Sequence, residues 1–207
     1  MGLKDGPLWN HNIHFHRVAL EAIPNSATSA LDVGTGNGML ARDLRERLPD
    51  VTAIDVDAPI LAAAQRTHAG INWVLADAMT HDFGRTFDVV ASVAALHHFE
   101  DLESALGRLR ELTAPGGVLV IVGLAKATTL GDYARSVPGV VQHHWYSRTR
   151  NLWEHTAPTK WPPPHSYTEV RECAARVLPG VRWRQFAMWR YALTWHKPSE
   201  LLGGSRF

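Results

Sequence analysis

A glycine-rich turn between two differently patterned segments constrains the fold of this chain most strongly. The segment "SALDVG", residues 29–34, predicts a buried strand, and "NGMLARDLRERLPD", residues 37–50, has the apolar spacing of a helix. Gly34, Gly36 and Gly38 lie at the junction. A strand that enters a helix directly is typical of the crossover unit of a parallel sheet, whose faces are covered by helices. The turn therefore predicts an α/β fold.

The rest of the chain continues the alternation of strands and helices. Strands are predicted in "VTAID", "INWVLA", "FDVVASV" and "VLVIVGLA", and helices in "APILAAAQRTHA" and "EDLESALGRLREL". The chain ends with a predicted helix, "YTEVRECAARVL", and two adjacent strands, "VRWRQFAMW" and "RYALTWHK". Two consecutive strands after such an alternation predict an antiparallel edge on a mostly parallel sheet.

Length and composition indicate one soluble domain. The chain has 207 residues, of which 45% are hydrophobic, which suffices for one substantial core. We divide it into an N-terminal segment (1–27), a core (28–124), an insertion (125–166) and a C-terminal helix with its strand pair (167–207). No apolar run is long enough to cross a membrane, and the single cysteine, Cys173, suits a reducing compartment, so we expect a cytoplasmic protein.

The net charge of +1 conceals a basic C-terminal part. Its Arg residues alternate with Trp in predicted strands, a pattern that favours a solvated sheet face over a nucleic-acid surface. We therefore expect no nucleic-acid partner and no membrane partner, and a monomer or a homodimer.

The spacing of the glycines indicates which ligand the turn holds. A dinucleotide fingerprint, G-x-G-x-x-G, would require Gly or Ala at position 39, where the chain has Met39. Asp32, two residues before the first glycine, would repel phosphates but attract an ammonium group. The turn therefore favours a cofactor that carries an amino acid and disfavours an NAD-dependent oxidoreductase.

These motifs resemble those of the class I S-adenosylmethionine-dependent methyltransferases. "ALDVGTGNG" matches the first motif of that family, and "AIDVDAPIL", "VLADAMT", "FDVVASVAALHHFED" and "LRELTAPGGVLVIV" match its later motifs in order and spacing. The match covers about residues 28–124. The resemblance implies a doubly wound, Rossmann-like, seven-stranded, mostly parallel sheet with an antiparallel C-terminal edge hairpin. It also implies S-adenosylmethionine as cofactor and S-adenosylhomocysteine as product.

The same resemblance implies a set of cofactor-binding residues. Asp55 matches the acidic residue that binds the ribose hydroxyls, and Asp77 matches the one near the adenine amino group, whereas Asp57 is predicted to cap the following helix. The predicted cofactor site comprises Asp32, Gly34, Thr35, Gly36, Gly38, Asp55, Val56, Asp77, Ala78 and Ser92.

A histidine pair directly follows the fourth predicted strand of the core. An alcohol, phenol or ammonium acceptor must lose a proton, and His is the side chain suited to take it near neutral pH. His97 and His98 are therefore candidate catalytic residues, and His97 is favoured because the local resemblance to phosphoethanolamine methyltransferases at "LH" falls on it. The alternative is that the pair caps the acidic helix or packs.

The N-terminal segment "WNHNIHFH" has two competing interpretations. His11, His14 and His16 are close in sequence, but their spacing fits no regular zinc pattern, so we expect no metal. In the resembled family this segment often folds over the cofactor. We expect a lid in which Trp9, His14 or Phe15 closes the site.

The insertion is expected to be partly helical and to supply the acceptor pocket. Aromatic walls suit a flat organic molecule or an amine cation, although such residues also simply pack. The candidate acceptor-binding residues are Trp9, His14, Tyr133, His143, His144, Trp145 and Tyr146.

The functional prediction is methyl transfer to O, N or C of a small organic metabolite. One alternative is an RNA or protein methyltransferase, although the fourth strand is followed by no "NPPY"-like motif. Another is a cofactor-binding protein that does not methylate, because a fold and a cofactor site do not settle activity.

Overall fold

Strands and helices alternate along most of the computed structural model, which describes residues 8–149, 151–152, 162–187 and 189–199. The strands are β1 (Leu8–Trp9), β2 (Ser29–Val33), β3 (Asp50–Asp55), β4 (Asn72–Leu75), β5 (Phe87–Val93), β6 (Thr113–Leu124), β7 (Asn151–Leu152), β8 (Arg182–Gln185) and β9 (Arg190–His196). The helices are α1 (His11–Glu21), α2 (Met39–Arg45), α3 (Ala58–Thr67), α4 (Leu102–Leu112), α5 (Leu130–Thr149) and α6 (Tyr167–Val177), and a 3₁₀ turn spans Leu96–His98.

Seven strands form the main sheet, in the order β4-β3-β2-β5-β6-β9-β8. The pairs from β4 to β6 are parallel, whereas β9 lies antiparallel to both β6 and β8. The predicted mostly parallel sheet with an antiparallel C-terminal hairpin is therefore confirmed. The chain builds outward in opposite directions from β2 and β5, which makes their carboxyl ends the place where ligands bind in such sheets.

Side chains of β2 alternate between two apolar layers, as the pleat of a strand requires. Leu31 belongs to a core cluster with Leu106 of α4 and Val170 of α6. Ala30 belongs to the opposite cluster, which contains Leu44 of α2. Because both faces are covered, β2 is buried along its whole length.

Polar side chains fix the starts of the helices that flank the sheet. Asp57 caps α3, since its Oδ1 accepts the backbone N–H of Ile60 at 3.1 Å, as predicted. Ser166 and Glu169 form a reciprocal capping box at the start of α6. These caps help to hold the strand-to-helix turns in place.

The insertion contains a longer helix than the sequence indicates. Helix α5 has 20 residues and continues through Pro138, where a break would be expected. A proline has no N–H to donate, so it removes one backbone hydrogen bond from the helix. Beyond α5, β7 pairs in parallel with β1, which joins the insertion to the N-terminal segment. No helix within the described ranges has the length and apolar composition needed to cross a membrane.

Candidate active site

The glycine turn after β2 adopts a backbone conformation that favours glycine. Gly34, Gly36 and Gly38 have φ values of 71°, 52° and 73°. The N–H groups of Gly34 and Thr35 both donate to the carbonyl oxygen of Ile54, at 3.0 and 3.1 Å. A Cβ on Gly34 would collide with the Cβ of Ala95 after β5. The turn is therefore clamped between the ends of β3 and β5.

Asp32 lies beneath this turn and is only 1% exposed. Its Oδ2 accepts the hydroxyl hydrogen of Thr35 at 2.6 Å. Burial raises the pKa of the Asp32 carboxyl to about 6, against the smaller opposing effects of Thr35 and His16. A buried carboxyl of this kind is stabilised in its charged form by a cation that enters the cavity.

Replacement of Asp32 by Asn is expected to stabilise the ligand-free protein at neutral pH. The pKa of Asp32 in the folded protein, about 6, lies above its ordinary value of 3.8. The folded state therefore retains the proton in that window, and the wild-type free energy of unfolding falls as pH rises from about 4 to about 6. The pKa difference corresponds to a loss on the order of 3 kcal/mol, which the neutral Asn avoids.

Urea unfolding of Asp32→Asn and wild type at pH 4 and pH 7.5 tests this expectation. The variant should gain stability over the wild type at the higher pH and little at the lower one. The same difference at both pH values would show that ionisation of Asp32 does not contribute.

Asp55 and Asp77 lie at the ends of the next two strands. Asp55 Oδ2 accepts the Gly36 N–H at 2.7 Å and Oδ1 accepts the Asp57 N–H at 3.0 Å. A carboxylate has about four acceptor positions, so each oxygen of Asp55 can accept a further hydrogen bond from a ligand. Asp77 is exposed, and its Oδ1 accepts the Met79 N–H at 2.9 Å. Both carboxylates are thus oriented by the backbone around them.

One cavity of about 470 Å³ joins these groups. The predicted cofactor residues that line it are Asp32, Gly34, Thr35, Gly36, Asp55, Val56, Asp77 and Ala78. Gly38 and Ser92 lie outside this lining. Gly38 is the N-cap of α2, where an added Cβ would collide with the Trp73 ring, and the Ser92 hydroxyl donates to the Val33 carbonyl at 3.0 Å.

The histidine pair follows β5 and lies in the wall of the same cavity. His97 is 6% exposed, His98 is exposed, and their ring centroids are 4.2 Å apart. Both line the cavity. Ala94, just before the 3₁₀ turn that carries them, has a φ of 56°, which is unfavourable for alanine. His97 and His98 thus share one cavity with the glycine turn, and their catalytic role stays a prediction.

Helix α1 forms another wall, as a lid would, but with different residues from those predicted. The residues of this helix and its N-cap that line the cavity are Asn10, Asn12, Ile13 and His16. Trp9 and Phe15 instead pack in a cluster with Val122 and Ala192, and His14 contacts the edge of the Phe15 ring. Residues three and four apart share a face of a helix, so Asn12, Ile13 and His16 face the cavity while Phe15 faces the core.

A buried hydrogen bond attaches α1 to α2. His16 Nδ1 donates to Asp43 Oδ2 at 2.7 Å. Although burial acts to raise it, the bonds from His16 and Arg42 hold the pKa of Asp43 below its ordinary value. This contact positions the cavity-facing side of α1.

The insertion residues Tyr133, Trp145 and Tyr146, predicted to contact the acceptor, are not among the residues that line the cavity. Tyr133 and Trp145 are 59% and 66% exposed. Tyr146 packs on Trp9 and His14, with centroid distances of 5.2 and 5.4 Å. The side chains of His143 and His144 lie outside the described residues. The described aromatic residues of α5 therefore pack against α1 or face solvent.

Arg190, the first residue of β9, is not among the site residues that the sequence predicts. It lines the cavity, is 8% exposed, and its Nη2 donates to Asn12 Oδ1 at 2.8 Å. The alternation of Arg and Trp in the C-terminal strands predicts a solvated sheet face for it instead. The signal in the sequence was the position of Arg190 at the start of the last predicted strand. Because that strand is antiparallel, it starts at the edge of the sheet where the parallel strands end.

The N-terminal histidines form no cluster suited to a metal. The part of the chain that the structure describes contains no group of three or more potential ligands in such an arrangement. His11 lies against the Trp9 ring, and His16 is bonded to Asp43.

Comparison with known proteins identifies relatives that are methyltransferases. Residues 31–121 match the family model described as "Methyltransferase domain". An uncharacterized methyltransferase of Mycobacterium tuberculosis H37Rv is 40% identical over 193 residues, covering 92% of this chain and 98% of that protein. A malonyl-[acyl-carrier protein] O-methyltransferase of Salmonella typhimurium is 37% identical over 102 residues, covering 48% of this chain and 40% of that protein.

One solved structure is similar in fold beyond residues 31–121, which the family model matches. The N-methyltransferase NodS from Bradyrhizobium japonicum WM9, in complex with S-adenosylhomocysteine, superposes with a TM-score of 0.59. The match covers 90% of this chain and 87% of that one, at 20% identity.

Proposed function

Because this chain belongs to the class I S-adenosylmethionine-dependent methyltransferases, we propose that it transfers the methyl group of S-adenosylmethionine to O, N or C of a small organic metabolite. One observation carries the proposal. A single cavity is lined by two groups of residues, the first being the glycine turn with its carboxylates and the second the histidine pair with Arg190. Cofactor and acceptor would meet inside it.

The residues of the first group fit the proposed cofactor. The backbone of Gly34 leaves no room for a Cβ, and Asp32 carries a carboxyl whose pKa burial raises to about 6. Asp32 would face the cofactor's ammonium group, Asp55 its ribose hydroxyls, and Asp77 its adenine amino group. When bound, S-adenosylmethionine supplies an electrophilic methyl group on a positively charged sulfur.

The residues of the second group would bind and deprotonate the acceptor. His97 is fixed by burial and by its contact with the His98 ring, so it can hold a constant position at the acceptor atom. It would take the proton that an oxygen or nitrogen acceptor loses. Helix α1 would help to exclude water, because Ile13 and His16 line the cavity.

The size and cover of the cavity favour a small molecule. About 470 Å³ lies within the range of small-molecule sites, and α1 forms part of the wall. A nucleic acid or a folded protein would have to insert one group past this helix. Proteins similar to this chain include both an O-methyltransferase and an N-methyltransferase, so we do not restrict the proposal to one acceptor element.

Incubation with methyl-labelled S-adenosylmethionine tests the proposal. The protein is mixed with a fractionated extract of an organism that makes it, and mass spectrometry follows the label. We expect label in a molecule of low mass. Label confined to RNA or protein would contradict the proposal and support the macromolecular alternative, and cofactor binding with no labelled product would support a protein that does not methylate.

A further inference from the structure

Arg190 stands at the cavity edge of the sheet because of strand register. Its backbone pairs with Leu124, the last residue of β6, and β9 runs antiparallel to that strand. The start of β9 therefore lies level with the carboxyl ends of the parallel strands. In the sheet, β9 lies three strand spacings, or roughly 14 Å, from β2, which carries Asp32. Arg190 is thus on the far side of the cavity from the glycine turn.

The positive charge of Arg190 has no anionic partner in the described part of the chain. Its Nη2 donates to the neutral amide oxygen of Asn12, and its Nε has no hydrogen-bond partner there. The ion pairs among the described residues involve other side chains. Burial lowers the pKa of the guanidinium to about 10, so it remains protonated at neutral pH.

Such an arrangement is costly unless a ligand completes it. A buried, unpaired ion is destabilising, and an apolar residue in its place would avoid that cost. The planar guanidinium offers several N–H donors in a fixed geometry that matches carboxylate and phosphate oxygens. Asn12 orients it from α1 while leaving Nε available. The opposite side of the cavity carries Asp32 and Asp55, which would repel an anion.

We infer that Arg190 binds an anionic oxygen group, a carboxylate or a phosphate, on the methyl acceptor. The inference rests on the proposed methyl transfer, because it assigns the side of the cavity opposite the cofactor turn to the acceptor. The acceptor is then an organic anion whose charged group is held by β9 and α1. The rest of that molecule extends toward His97 along apolar lining that includes Leu124 and Val93.

Calorimetry on protein saturated with S-adenosylhomocysteine tests this inference. The probes are hexanoate, hexyl phosphate and hexanol, which share an alkyl chain and differ in the head group. We expect wild type to bind one of the two anions at least about tenfold more tightly than hexanol, as one or two charge-assisted hydrogen bonds provide. Preference for hexanoate would identify a carboxylate, and preference for hexyl phosphate a phosphate.

Three variants make the result specific to Arg190. Arg190→Gln should lose the preference for the anion while its affinity for S-adenosylhomocysteine stays within about twofold of wild type, which also shows that it folds. Arg190→Lys should keep part of the preference, because it retains the charge but not the fork of donors. Arg182→Gln, which removes an exposed charge from neighbouring β8, should behave as wild type.

Several outcomes would overturn the inference. The inference is wrong if Arg190→Gln keeps the preference, or if wild type binds neither anion better than hexanol. Weakened S-adenosylhomocysteine binding by Arg190→Gln would place Arg190 in the cofactor site instead. Failure of wild type to bind S-adenosylhomocysteine at all would overturn the proposed function itself, whereas equal binding of all three probes by the loaded protein would overturn the inference alone.

Discussion

Gly34→Ala should abolish S-adenosylhomocysteine binding and lower stability by several kcal/mol. Gly34 has a φ of 71°, and an added Cβ would collide with the Cβ of Ala95. Relief requires movement of the turn or of the segment after β5, and both line the cavity. The strain of a left-handed alanine alone is on the order of 1–2 kcal/mol, so the collision should add to it.

Two further variants separate collision from backbone strain. Gly84 has a φ of 63°, but an added Cβ there would have no neighbour within 4 Å, so Gly84→Ala should show the strain alone and bind the ligand normally. Ala95→Gly in the Gly34→Ala background removes the colliding atom and should restore part of the affinity. Calorimetry and urea unfolding measure both effects. Equal behaviour of Gly34→Ala and Gly84→Ala would contradict the proposed role of the turn.

His97→Ala should lower turnover by about a hundredfold or more, with cofactor affinity unchanged. The expectation follows from the buried position of His97 on the cavity wall, where it can take the acceptor's proton. His98 is exposed and contacts the His97 ring, so His98→Ala should cause a smaller loss through altered positioning. The acceptor found by the labelling experiment serves as substrate.

The pH profile distinguishes a base from a packing residue. If His97 accepts a proton, the acid limb of the wild-type kcat profile should disappear in His97→Ala, whereas a packing defect would lower the profile without changing its shape. Wild-type turnover in both variants would exclude a base at either position and leave alignment as the protein's contribution.

Local sequence signals were sufficient to predict the fold of the part of the chain from β2 to β6, which carries the predicted cofactor residues. Gly34, Asp32 and Asp55 belong to short segments whose strand, turn and helix follow one another directly, so the pattern of residues predicts both the element and its ligand. The same holds for Asp57, whose side chain caps the helix it precedes. In these segments the contacts that matter are close in sequence or follow from strand order.

The acceptor side of the cavity could not be predicted in the same way, because it depends on contacts between segments that are distant in sequence. Arg190 meets Asn12, which is 178 residues away in sequence, and only the pairing of β9 with β6 brings them together. The aromatic residues of the insertion suggested a pocket by composition alone, but Tyr146 is occupied by packing on Trp9. Along α1, the side facing the cavity depended on where the helix begins, which Asn10 sets by capping it.

Calorimetric titration of the wild-type protein with S-adenosylhomocysteine tests the central claim most directly. The claim is that the cavity at the ends of β2, β3 and β5 holds S-adenosylmethionine. We expect one molecule bound per chain, displaced by S-adenosylmethionine, with no heat from NADH under the same conditions. Binding of NADH in place of S-adenosylhomocysteine, or no binding of S-adenosylhomocysteine, would contradict the claim.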